Sequence, residues 1–221
     1  MSFFLDLLGA PPDRAFFAEQ YRPLVATAFV ATALAATAAL AGPIEAIRII
    51  GMTTLTGVSY ATANDMIACR DCPEYFTIGH FDDGQNLENR PIRTLNPTLN
   101  ALVWGPISSW HVSAIAGVLI AIAARLPILS ATVSAASIAP FLAAIAVGTF
   151  ARSHFLARMA ERQMQQNVRE GAGLRYNVRE EYQVGWHTCN TRNSAGYTAV
   201  ALGGLALTAG ILAARVAMSI L

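Results

Sequence analysis

The sequence predicts an all-α, multi-pass transmembrane helical bundle, and three observations lead to this fold class. First, no charged residue lies between Arg22 and Glu45 or between Arg192 and Arg215. Second, only 13% of the residues are charged, which is too few to solvate the surface of an ordinary soluble domain. Third, the charge-free stretches are rich in alanine and leucine, and each has room for the roughly 20 helical residues that cross a bilayer.

The first element is a predicted span over residues 24–41. It lacks the basic start and the cleavage site of a secretory signal peptide, so we expect it to be retained. Ala28, Thr32 and Ala36 fall on one face of this helix, and small residues let helix backbones approach closely in a bilayer. We therefore predict Ala28 and Ala36 as helix-packing positions.

The second element, residues 44–64, has several readings. Glu45 and Arg48 stand near its start, and six hydroxyl side chains follow, which is polar for a span. Three placements stay open: a fifth span, an amphipathic helix on the membrane, and a re-entrant piece in which residues 54–58 form a filter-like loop. We favour a helix whose hydroxyls bond back to its own carbonyl oxygens.

The remaining firm spans, which bring the number to four, are residues 107–124, 133–151 and 195–214. The connection between the first two is so short that they must form an antiparallel hairpin. Beyond residue 151 the apolar spacing predicts that the helix continues into water. In the last span Gly203 and Gly210 are the predicted packing positions. Arg215, close to the end of this helix, is expected to extend toward the surface.

The whole chain, residues 1–221, is predicted to be one integral membrane domain in which the polar loops 65–100 and 152–192 form a cap on one membrane face. The parity of the hairpin between the two loops places them on the same side. They hold ten of the 15 basic residues, all of which are arginine because the chain is lysine-free. Basic loops stay on the cytoplasmic side, so we expect a bacterial or organelle inner membrane with the cap in the cytoplasm or matrix.

The three cysteines are the residues that most clearly suggest a chemical function. Cys69 and Cys72 make a CxxC motif in the first polar loop, and Cys189 follows His187 in the second. Because three thiols and one imidazole are a ligand set of structural zinc sites, we predict Cys69, Cys72, His187 and Cys189 as metal ligands. Two alternatives stay open: thiols that are simply buried, and a membrane thiol oxidoreductase that uses the CxxC with Cys189.

The cap and the aromatic residues supply the predicted contacts with lipid or partner subunits. Arginines near a membrane surface bind anionic headgroups, and tryptophans are enriched where helices meet the bilayer interface. The residues predicted for this role are Arg152, Arg158, Arg162, Arg169, Trp104, Trp110 and Trp186.

These patterns favour a non-catalytic integral membrane subunit of a larger membrane protein complex. No phosphate-binding loop, nucleophile elbow or basic tract for nucleic acid is present. The firm spans contain no carboxylate, which a proton or ion relay usually needs, so a small channel or transporter component is only an alternative. The expected partners are other membrane subunits and bound phospholipid, without nucleic acid, and the expected cofactor is structural zinc or none.

Overall fold

The structure of this chain, a computed structural model, describes residues 43–77, 96–172 and 180–220. Within these ranges every regular element is helical, which confirms the all-α class for them. The elements are α1 (Pro43–Asp71), a 3-10 turn (Pro73–Phe76), α2 (Pro97–Arg125), α3 (Ala135–Arg169), a second 3-10 turn (Glu180–Tyr182) and α4 (Gln183–Ile220).

Three of the described helices are long and apolar enough to cross a membrane, namely α2, α3 and the helical stretch Glu180–Ile220 that contains α4. They correspond to the predicted spans 107–124, 133–151 and 195–214. The predicted span 24–41, with Ala28 and Ala36, lies outside the described residues. Three membrane-crossing helices are therefore supported in the described part of the chain, and four firm spans with a fifth are not.

Helix α1 covers the ambiguous segment 44–64 without a break, although it is not among the helices apolar enough to span a membrane. The hydroxyls of Thr53, Thr54 and Thr56 each donate to the carbonyl oxygen four residues earlier at 2.8 Å. The predicted back-bonding is thus confirmed. The filter-like loop over residues 54–58 is wrong, because hydroxyls that are satisfied by their own helix leave the backbone coiled.

The contacts divide the chain into two units, and each unit contains different segments of the four helices. The described residues of the first unit are 61–77, 96–107, 149–172 and 180–197, and those of the second are 43–60, 108–148 and 198–220. The first unit contains most of the described residues that the sequence predicts as polar loops. Much of this polar sequence is helical, because α3 continues to Arg169 and α4 already begins at Gln183.

The core of the second unit is made of small and β-branched side chains. Ala46 and Ile49 of α1 pack with Ile120 and neighbouring alanines of α2 and with Ile138 of α3. A Cβ atom on Gly117 would lie 2.9 Å from the Cα atom of Ile50, so α1 and α2 touch backbone to backbone there. Small side chains at the contact are what close helix packing in a bilayer requires.

The start of α3 is held by capping interactions. Ser134 Oγ accepts a hydrogen bond from the backbone N–H of Ser137 at 3.2 Å, as an N-cap serine does. Glu45 Oε2 accepts a second bond from the N–H of Ala135 at 2.9 Å. A carboxylate is favourable at this end of a helix because the unpaired N–H groups carry positive partial charge. The first turn of α1 therefore lies beside the first turn of α3.

Arg215 of α4 closes the hairpin between α2 and α3. Its guanidinium is fully buried and donates to the carbonyl oxygens of Ala123 (2.7 Å), Leu126 (2.5 Å), Leu129 (3.2 Å) and Ala131 (2.7 Å). The expectation that this side chain extends to the surface is therefore wrong. The last carbonyl groups of a helix have no partners within the helix, and a buried guanidinium can satisfy several of them at once.

Candidate functional site

The three cysteines lie in the first unit, and all of them are buried free thiols. Cys69 stands in the last turn of α1, Cys72 follows the end of that helix, and Cys189 stands in the second turn of α4. Ala68, Tyr75, Phe76 and Ala101 pack around them, with the rings of Trp104 and Trp186 at the edge of the cluster. Helix ends from distant parts of the sequence thus form a single thiol cluster.

Within this cluster Cys72 pairs with Cys189. The neighbouring Cys189 side chain holds the pKa of Cys72 below its usual value. Both residues also meet the carbonyl oxygen of Ala68, which accepts the Cys72 N–H at 2.9 Å and the Cys189 thiol at 3.4 Å. A Cβ atom on Gly185, one turn before Cys189, would lie 3.0 Å from the Cys72 Cβ, so the glycine lets α4 come this close.

Cys69 is bonded within its own helix end. Its thiol donates to the carbonyl oxygen of Met66 at 3.2 Å, and its sulfur accepts from Arg70 Nη1 at 2.6 Å. Burial raises the pKa of this thiol, which keeps it protonated. The CxxC motif therefore contributes one sulfur, Cys72, to the contact with α4.

His187 does not join the thiols. It stands two residues before Cys189 on α4, and side chains two apart on a helix do not face each other. In residues 43–77, 96–172 and 180–220 no group of three or more histidine, cysteine or carboxylate side chains is placed to hold a metal ion. The predicted ligands Cys69, Cys72, His187 and Cys189 are therefore not gathered into one zinc site, and the helical HxC spacing is the physical reason.

A cluster of charges lies beside the thiols. Asp71 ends α1, and its Oδ1 accepts from Arg158 Nη2 at 3.0 Å while its Oδ2 accepts from Arg192. The Arg192 side chain is only 1% exposed, and its Nη1 also contacts His154 Nδ1 at 3.2 Å. Asp71 and Arg192 were not predicted as a pair from the sequence. One signal was available, because Arg192 follows Cys189 by three residues and so lies on the same helix face.

Amide and phenol groups tie the same helix ends together. Tyr75 Oη donates to Asn190 Oδ1 and accepts from Asn193 Nδ2, both at 3.3 Å. Asn64 Nδ2 donates to Asn193 Oδ1 at 2.8 Å. The Trp186 ring lies 4.7 Å from that of Tyr75 between centroids. These contacts join the end of α1 to the first turns of α4 beside the thiol pair.

The residues predicted to contact lipid or partners divide into two groups. Arg152 donates to the carbonyl oxygen of Ala195 at 2.7 Å, and Arg158 is bound to carboxylates, so both have partners within the protein. Arg162 and Arg169 are exposed and have no ion pair in the described part of the chain. Among the tryptophans only Trp110 is largely exposed, at 44%. Trp104 and Trp186 are partly buried against the thiol cluster.

Asp65, in the first unit, is a buried carboxyl one turn before Cys69. It is 5% exposed, and among the described residues its side chain is bonded to Asn64 but to no cation. Burial disfavours the ionised form and raises the pKa of Asp65 to about 7. The group therefore changes its charge near neutral pH.

We expect the stability of the protein to fall as pH rises from about 4 to 7, and the Asp65→Asn variant to lose this dependence. The folded state binds the Asp65 proton more tightly than the unfolded state, so stability decreases as pH passes from the ordinary pKa of 3.8 to the raised pKa of about 7. At pH 8 the variant should be more stable by at most about 4 kcal/mol. Thermal unfolding in detergent at pH 5 and pH 8 measures this. An equal gain at both pH values would contradict it.

The second unit carries an apolar groove of about 650 Å³ between α3 and α4. None of the described residues that line it is charged. α3 contributes Ile138, Phe141 and Ile145, and α4 contributes a ridge of small residues, Ala206, Gly210 and Ala214. A Cβ atom on Gly203 would lie 2.9 Å from Ile145 Cγ2, so the helices touch there, whereas one on Gly210 would meet nothing within 4 Å. The groove is therefore open at Gly210.

No protein-family model, curated protein or solved structure matches this chain.

Proposed function

We propose that this protein is a non-catalytic integral membrane subunit of a larger membrane protein complex. In this proposal the groove between α3 and α4 binds a transmembrane helix of a partner subunit. The proposal rests on this groove, which has a volume of about 650 Å³, apolar walls and a ridge of small residues along one of them. Interfaces between helices within lipid are enriched in small residues, which let the backbones approach closely.

The burial of the three apolar helices supports this role. Half of the apolar stretch of α2 is buried within the protein, but only 22% of that of α3 and 11% of that of α4. These two helices therefore leave most of their apolar surface for lipid and for other proteins. A soluble protein does not expose apolar area on this scale.

A helix suits the groove better than a lipid chain does. Ala206, Gly210 and Ala214 are four residues apart, so they form one ridge along α4. Such a ridge lets a second backbone approach closely, and the open space at Gly210 leaves room for it. Since the described lining of the groove is uncharged, the partner helix is expected to be uncharged over this contact.

The exposed side of α3 supports a bilayer position for the subunit. Phe155 and Met159 are 63% and 52% exposed, and the exposed Arg162 and Arg169 follow them along the helix. An apolar surface followed by arginines matches the passage from hydrocarbon to anionic headgroups. We propose that these arginines bind phospholipid headgroups on the cytoplasmic or matrix side of an inner membrane.

The Gly210→Leu variant tests the partner-helix proposal, with Gly204→Leu as its matched control. Both glycines lie on α4, and a Cβ atom at either position meets nothing within 4 Å, but only Gly210 lines the groove. We expect Gly210→Leu to reduce the fraction of chain that co-purifies with its partner in mild detergent by about tenfold, which corresponds to about 1.4 kcal/mol. Gly204→Leu should leave this fraction unchanged.

A photo-cross-linking residue at Leu207, which lines the groove, identifies the occupant by mass spectrometry. A cross-linked peptide from an uncharged apolar segment of another chain supports the proposal. A cross-link to residues 24–41 of the same chain would overturn it, because the groove would then serve internal packing. Equal co-purification of both leucine variants would overturn it as well.

A further inference from the structure

We propose that Cys72 and Cys189 are a redox modification site, which a disulfide oxidant converts into a disulfide between the end of α1 and the second turn of α4. Cys69 stays a free thiol in both states. The inference concerns the first unit and does not depend on the partner helix proposed for the groove of the second.

The contacts around the pair carry the inference. Both residues belong to the same buried cluster and are anchored on the same carbonyl group, that of Ala68, which accepts the Cys72 N–H at 2.9 Å and the Cys189 thiol at 3.4 Å. Gly185 removes the side chain that would otherwise hold α4 away from Cys72. A disulfide forms without backbone movement only between residues whose backbones lie close together, and these contacts show that folding brings Cys72 and Cys189 into one place.

The surroundings of Cys69 explain why the CxxC motif does not close on itself. Cys69 donates to Met66 within α1 and accepts from Arg70 on its other side. Cys72 lies beyond the helix end, where its backbone is extended at φ −150° and ψ 90°. This change of direction carries the Cys72 side chain toward α4, where it meets Cys189.

The oxidation proceeds by two thiol–disulfide exchange steps. The Cys72 thiolate attacks one sulfur of a small-molecule disulfide, which forms a mixed disulfide and releases one thiolate that takes up a proton. Cys189 then gives up its proton and attacks the Cys72 sulfur, and the second thiolate leaves. Two protein thiols are oxidised and one small disulfide is reduced to two thiols. The depressed pKa of Cys72 makes it the attacking thiol.

The first contact with an oxidant takes place at Cys72. Its Sγ lies 3.7 Å from the Glu74 carboxylate, which is partly exposed, and Pro73 between them is exposed. A small displacement of the Pro73–Phe76 turn therefore opens a path to Cys72, while Cys189 remains covered. This order of access matches the order of the two exchange steps.

The test uses the full chain, purified in mild detergent and incubated with oxidised or reduced glutathione. We expect the free thiols, counted by alkylation and mass spectrometry, to fall from three to one on oxidation. A non-reduced digest should contain one cross-linked peptide pair, with Cys72 joined to Cys189, and dithiothreitol should release it. Because the link constrains a long loop of the unfolded chain, Tm should rise by roughly 5 °C or more.

Cys69→Ser should behave as the wild type does, since a hydroxyl can replace both of its bonds. Cys72→Ser and Cys189→Ala should lose the cross-linked peptide and the rise in Tm. A cross-link between Cys69 and Cys72, a lasting glutathione adduct on Cys72, or three free thiols in the oxidised wild type would each overturn the proposal. Because the cross-link is mapped in the wild-type chain, the test is decisive even if a variant fails to fold.

Discussion

Replacing Arg215 with alanine is expected to lower the free energy of unfolding by about 4 kcal/mol, since four hydrogen bonds of about 1 kcal/mol net each are lost. The guanidinium is fully buried, and each of its four bonds reaches a backbone carbonyl oxygen around the α2–α3 hairpin. Without it the buried Ala123 carbonyl group loses this donor, and so do the partly buried carbonyl groups of Leu126, Leu129 and Ala131. Thermal unfolding in detergent should show a fall in Tm on the order of 10 °C.

Two variants control this experiment. Arg215→Lys keeps the charge, but its single ammonium group cannot span four carbonyl groups, so we expect an intermediate loss. Arg162→Ala removes an exposed arginine of α3 and should change the free energy of unfolding by less than about 0.5 kcal/mol. If Arg215→Ala unfolds at the same temperature as Arg162→Ala, the buried capping role is wrong.

Replacing Asp71 with alanine is expected to cost about 3 to 5 kcal/mol, because it leaves the buried Arg192 without its carboxylate. The Arg192 side chain is 1% exposed and cannot reach water to recover the lost interaction. The loss is measured as the difference in free energy of unfolding between variant and wild type.

The double variant Asp71→Ala with Arg192→Met separates the buried charge from general damage. It removes both charges, so we expect it to recover a large part of the loss, as buried ion pairs replaced by apolar side chains do. Glu161→Ala is the matched control, since Glu161 pairs with Arg158, whose side chain is 41% exposed, and such pairs contribute less than about 1 kcal/mol. Strictly additive losses in the double variant would contradict the coupling.

The local sequence pattern was sufficient to predict these helices. The charge-free stretches predict spans at 107–124, 133–151 and 195–214, and α2, α3 and α4 cover them. The threonines of α1 also bond as predicted, because the choice between a helix and a loop there depends on neighbours within four residues. Interactions of this range can be seen in the sequence itself.

Partners far apart in sequence could not be predicted in the same way. The CxxC motif suggests that Cys69 and Cys72 act together, yet Cys72 turns to Cys189 and Cys69 bonds within its own helix. His187 and Cys189 are close in sequence, but the helix turns them to different faces. Which helix face meets which depends on packing across several helices, and spacing along the chain does not contain that information.

The sequence alone was enough to predict helices able to cross a membrane, as the described part of the chain has, because hydropathy and charge act residue by residue along a helix. Only the tertiary structure decided that Arg215 is buried rather than at the surface and that Asp71 and Arg192 form a buried ion pair. It also decided that the thiol pair is Cys72 with Cys189. Each of these depends on a close approach of separate helix ends, where unpaired carbonyl groups and charges must find partners once water is excluded.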